Sequence, residues 1–184
     1  DFLPLRWVRE ETEVNGLLDE VSKGEYYTFQ VGLFSPFSEI KDVELEFTDL
    51  ISKSNIKISK DNFTCFNKEG VDLYGKLLNK KISIDKSQVQ SLWFGLQIPK
   101  NARKDSYNSH IIIKPSGMEQ DTVHLKLDVN NKLVNDFGDN NPEKMTRLRW
   151  LNSEIGSEKD IVISPFEEVK VKFNLPRIFP SETT

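Results

Sequence analysis

The chain has 184 residues and 21.3 kDa, and its 29 acidic and 25 basic side chains leave a formal charge of −4. A chain this long buries roughly 70% of its unfolded surface as one domain, so its core needs no metal or disulfide staple. Net acidity with scattered lysines argues against a non-specific nucleic-acid binder, Cys65 has no second cysteine to pair with, and no apolar run reaches the roughly 20 residues of a membrane-spanning helix.

In chain order, residues 10–21 carry Val14, Leu17, Leu18 and Val21 at helical spacing, and this predicts a short helix weakened by Asn15-Gly16. From residue 27 the period changes to two. Residues 27–33, 43–47, 123–129 and 169–175 alternate apolar and polar side chains, as strands with one buried face do. Shorter strands are predicted at 56–58, 63–66 and 82–84. Residues 89–98 and 107–114 contain apolar neighbours, the pattern of strands covered on both faces. Turn-rich stretches separate them at Lys23-Gly24, at 67–70 and at 115–117. Eight to ten short strands with almost no helix predict an all-β fold, a two-sheet antiparallel β-sandwich with a loop-rich C-terminal extension. The expected organisation is an N-terminal extension or edge element at 1–22, a sandwich core at 23–130, and an extension at 131–184. That extension either packs on the sandwich or leads to a further domain. Its loop-richest part is 131–142.

The chemistry-bearing residues form no catalytic constellation. Nucleophile-elbow, phosphate-loop, dinucleotide and zinc-protease motifs are all missing. Cys65 alternates with Phe63 and reads as a buried thiol. His124 reads as the solvated face of a strand and His110 as an edge or core polar residue. Two histidines leave little material for a His-rich metal centre, and no cofactor is expected. Glu44 and Glu46 share one strand face, which lacks the cleft that raises an acid's pKa. The oxygen-rich stretch 136–141 lacks the spacing of a calcium loop and reads as an exit turn. Among the aromatics that could stack on a sugar are Trp7, Trp93, Trp150, Tyr74 and Tyr107. Tyr26 joins them because its parity opposite Tyr27 predicts exposure.

Three stretches together resemble a known family: 24–34 (GEYYTFQVGLF), then 66–72 with 89–99 (VQSLWFGLQIP), then 147–156 (RLRWLNSEIG). In this order they are similar to the N-terminal β-sandwich region of bacterial proteins resembling glycoside hydrolase family 123. The resemblance covers residues 5–160 and rests on motif order. It implies a non-catalytic accessory domain supporting a downstream catalytic barrel that carries an adjacent pair of acidic residues. It also implies a periplasmic or extracellular location. A (β/α)₈ barrel needs about 250 residues, so the barrel would lie outside this chain. The alternatives are a stand-alone carbohydrate-binding module and a cell-surface interaction domain. The expected partners are that catalytic domain and glycans, with no nucleic acid and no membrane span. Trp93, Arg147, Arg149 and Trp150 are the candidate carbohydrate-binding or domain-interface residues. If 147–155 is extended, Leu148 and Trp150 point one way, to plug the extension onto the sandwich. Arg147 and Arg149 then point the other way, toward acidic neighbours or a following domain.

Overall fold

The computed structural model describes residues 16–155, 162 and 165–167. Among them are eleven strands and no α-helix. Period-two alternation produces this, because each strand has one face to bury and only a second sheet can cover it. The longer strands are β1 (Gly16–Lys23), β2 (Tyr26–Phe34), β9 (Val89–Gln97), β10 (Asp105–Lys114) and β11 (Asp121–Leu133). The shorter ones are β3 (Glu44–Phe47), β4 (Leu50–Ser52), β5 (Lys57–Ile58), β6 (Phe63–Cys65), β7 (Glu69–Val71) and β8 (Leu77–Asn79).

The larger sheet runs β1-β11-β10-β4-β5, with β3 also paired to β10. The smaller sheet runs β2-β9-β6, and β7-β8 form a separate hairpin. Pairing is antiparallel throughout except between β1 and β11, which run parallel from Gly16↔His124 to Val21↔Val129. The two sheets bury a single cluster. Phe29 stacks on Phe94 at 5.2 Å, Phe47 stacks on Phe63 at 4.8 Å, and Phe47 meets Phe94 edge-on at 6.0 Å. Tyr107, Ile111, Leu125 and Leu127 close the layer from the larger sheet.

Several sequence expectations change here. The described part of 10–21 is strand: the helical spacing of Leu17, Leu18 and Val21 yields to pairing with β11, which buries Val21 and leaves Leu18 exposed. Residues 82–84 form only an isolated bridge, Ile40 to Ile84, although Ile82 and Ile84 are both buried. β11 extends to Leu133, three residues into the stretch expected to be loop. His110 lies on a central strand rather than an edge. The strand expected at 169–175 lies outside the described residues, as does Trp7.

The turn between β1 and β2 depends on Gly24. Its φ is +77°, and a Cβ there would lie 2.7 Å from the Val134 carbonyl, so the C-terminal chain passes against bare backbone. This turn carries Glu25, which is only 2% exposed.

Candidate functional site

After β11 the chain turns back through three short 3-10 segments, Asp136–Gly138, Pro142–Lys144 and Thr146–Asn152, and the last of these contacts β2, β7 and β9. Asn141 starts the second segment, its side chain accepting the Glu143 N–H at 3.2 Å, and Pro142 supplies a helical φ. Lys144 Nζ then reaches the buried Glu25 carboxylate at 2.5 Å, whose other oxygen accepts the Ser22 N–H at 2.9 Å. The Thr28 hydroxyl donates to the Lys144 carbonyl. The sheet thus holds this segment by charge and hydrogen bonds at its outer face.

In a 3-10 helix residues three apart lie above one another. Thr146 and Arg149 therefore face inward, while Arg147 and Trp150 face outward. Asp139 receives the inward pair. Arg149 grips both carboxylate oxygens, with Nη2 2.6 Å from Oδ2, and Thr146 Oγ1 donates to Oδ1 at 2.7 Å. The guanidinium beside Asp139 lowers its carboxyl pKa to about 2. Arg149 also lies 4.4 Å over the Phe137 ring and 5.7 Å from the Trp150 ring, and Arg147 lies 5.4 Å from the Trp150 ring. Asp136, Phe137 and Met145 all have positive φ, a backbone conformation that persists only when the surroundings impose it. The Asp139 clamp is such a surrounding. Trp150 remains 55% exposed, and with Pro142, Met145 and Leu151 it lines a shallow apolar concavity of about 470 Å³.

Trp93 lies elsewhere. It is half-buried on the outer face of β9, opposite Gln30, with its backbone N–H donated to Asn67 Oδ1 at 2.6 Å. It lines a cleft of about 360 Å³ along β1 and β2, the outermost strands of their sheets among the described residues, together with Asp19, Glu25, Tyr27, Gln30 and Lys144. Tyr27 donates its hydroxyl to Asp19 at 2.8 Å, and burial with that carboxylate pushes the phenol pKa well above its usual value. Met145 belongs to both hollows. The structure thus groups Arg147, Arg149 and Trp150 and sets Trp93 apart.

The extended conformation expected at 147–155 is replaced by 3-10 turn through Asn152, and this reverses which side chain plugs inward. Arg149 is turned onto Asp139, and Trp150 stays exposed. Tyr26 is buried at 7% exposure rather than exposed, because Gly95 leaves room for its ring and the 3-10 segment roofs it. Tyr107 is a core residue. Sequence reasoning missed Asp139 as the partner of Arg149; its only signal was its place in the oxygen-rich stretch 136–141. Cys65 is buried, and desolvation raises its thiol pKa. Glu44 pairs with Lys68 and Glu46 with Lys114 on an exposed strand face, and Lys114 lowers the Glu46 pKa.

No protein-family model and no curated protein matches the sequence. Among solved structures, the chain is similar to a family 123 glycoside hydrolase from Clostridium perfringens, described for glycolipid glycan hydrolysis. The TM-score is 0.57 with 19% identity, over 70% of this chain and 25% of that one. It is also similar to the Bacteroides ovatus GH5 xyloglucanase, at TM-score 0.37 and 8% identity over 66% of this chain and 19% of that one. A third is MyfA, the major subunit of Myf fimbriae from Yersinia enterocolitica, at 0.40 and 10% over 60% and 88%. Only the first score is high enough to use, and at that identity it shows a shared fold alone. This chain spans about a quarter of that hydrolase's length.

Proposed function

We propose that this chain is a non-catalytic β-sandwich domain of a glycoside-hydrolase-like, exported protein, and that its Thr146–Asn152 segment is the face that meets the catalytic domain. The observation that carries the reading is Trp150, 55% exposed beside two guanidiniums on a segment clamped through Asp139. Trp and Arg are the residues most often found at the energetic centre of interfaces. Apolar surface rimmed by charge suits a contact between domains of one protein. The fold shared with one quarter of a family 123 glycoside hydrolase supports the reading. So does the pairing of Glu44 and Glu46 with lysines at the surface, which suits solubility better than acid catalysis.

The test has two arms. The isolated chain should not hydrolyse aryl glycosides, and turnover lost on Glu44→Gln or Glu25→Gln would overturn the non-catalytic reading. In the complete protein from which the chain derives, Trp150→Ala with Arg147→Ala should separate the melting of this domain from that of a barrel-length neighbour. A complete protein without such a neighbour would overturn the docking reading.

A second reading, a carbohydrate-binding module, is favoured by the Trp93 cleft with its aromatic wall and polar rim. Oligosaccharide binding to the isolated chain, abolished by Trp93→Ala and kept by Trp150→Ala, would promote it.

A further inference from the structure

We propose that His110 and His124 form a two-histidine site for a divalent transition-metal ion on the outer face of the larger sheet. The two residues are direct partners in the antiparallel register of β10 and β11, and their ring centroids lie 4.7 Å apart. A metal about 2.1 Å from an imidazole nitrogen lies roughly 3.2 Å from the ring centre, so two rings on one ion sit roughly 4.5–5.2 Å apart for right-angled to tetrahedral geometry. The observed separation of 4.7 Å lies within that range. The rings now meet edge-on at 75°, and χ2, the torsion that re-aims an imidazole nitrogen, is soft for histidine.

The surroundings leave the ring nitrogens available. His110 is fastened through its backbone, its N–H donated to Thr48 Oγ1 at 2.8 Å and its carbonyl accepting the Thr48 N–H at 3.0 Å. Neither ring has a hydrogen-bond or ionic partner among the described residues. On the far side of His124 stands Gly16, where a Cβ would lie 3.1 Å from the His124 carbonyl and 3.5 Å from its Cβ. A larger residue there would press on the His124 backbone and Cβ. Among the described residues no third histidine, cysteine, aspartate or glutamate joins the pair. As far as the described residues go, the remaining coordination positions are left to water or to a ligand brought by another molecule. Imidazole donors suit copper, nickel and zinc. The site lies on the other sheet from the Thr146–Asn152 segment, so it does not depend on what docks there.

The test is titration of the tag-free chain with zinc chloride, followed by NMR of the imidazole ring signals, with copper and nickel salts compared by calorimetry. The expected result is one ion per chain, with both rings responding together and copper bound most tightly. His110→Ala and His124→Ala should each weaken binding at least tenfold while leaving the far-ultraviolet circular dichroism unchanged. Response of one ring alone, unchanged affinity in the double variant, or no ring response at large zinc excess would each overturn the proposal.

Discussion

The two faces of the small β2-β9-β6 sheet are covered by different physics. Its inner face meets the larger sheet through Phe29, Leu92, Phe94 and Leu96, all buried and free of charge. Its outer face is roofed by the Thr146–Asn152 segment, which is anchored by Glu25–Lys144 and Asp139–Arg149. Apolar burial acts at any pH and tolerates no lost volume. A charged clamp fixes direction, can be undone by protonation, and leaves the segment's far side free of packing duties. That difference allows Trp150 to stand outward without cost to the core.

The contrast can be broken at graded points. Phe94→Ala removes a fully buried ring from two aromatic contacts. It should cost about 3–5 kcal/mol and lower the melting midpoint by roughly 10 °C or more, read by thermal circular dichroism. A drop of only a few degrees would place the stabilising core elsewhere.

Gly95→Ala tests the roof. Its Cβ would lie 2.2 Å from the Tyr26 hydroxyl and 2.5 Å from the ring, so Tyr26 must move. The expected cost is about 1–3 kcal/mol, as for other overpacked sites. In a Tyr26→Ala background most of that cost should vanish, a coupling read from a double-mutant cycle.

The clamp should respond to acid. The Asp139 pKa is lowered to about 2 in the folded chain, so its stabilising contribution is complete above the ordinary carboxylate range near 4. It is lost progressively as pH falls through about 2. Hydrogen exchange across Thr146–Asn152 should accelerate over that window, while the β9 amides remain protected. Asp139→Asn should show the faster exchange already at pH 7. Smallest of all is Trp150→Ala, at about 0.5–1 kcal/mol for an exposed cation–π partner, a shift of no more than about 4 °C.

The parts legible in the sequence are those with a single period. β2 and β11 alternate over 27–33 and 123–129, long enough to read a buried face, and β9 and β10 are long enough for their apolar neighbours to mark strands covered on both faces. β4, β7 and β8, with three residues each, show no period and owe their state to their partners. β1 misleads because Leu17, Leu18 and Val21 also fit a helix, and only β11 decides between the two. Tyr26 misleads because parity assumes that one face of the sheet is wet; the roof is built by residues more than a hundred positions away. The site residues Arg147, Arg149 and Trp150 stand out in the sequence, but their directions do not. Direction follows from 3-10 geometry and from Asp139, ten residues before Arg149 in a stretch whose composition suggests only a turn.

The account turns on the Thr146–Asn152 segment being fixed from within and open outward. Acrylamide quenching of Trp150 fluorescence in a Trp7→Phe, Trp93→Phe variant of the isolated chain tests this most directly. The account predicts a red-shifted emission that is readily quenched, in a chain whose midpoint stays near the parent's. A blue-shifted emission that resists quenching would contradict it, because Trp150 would then be part of the packing and not a surface offered to a partner.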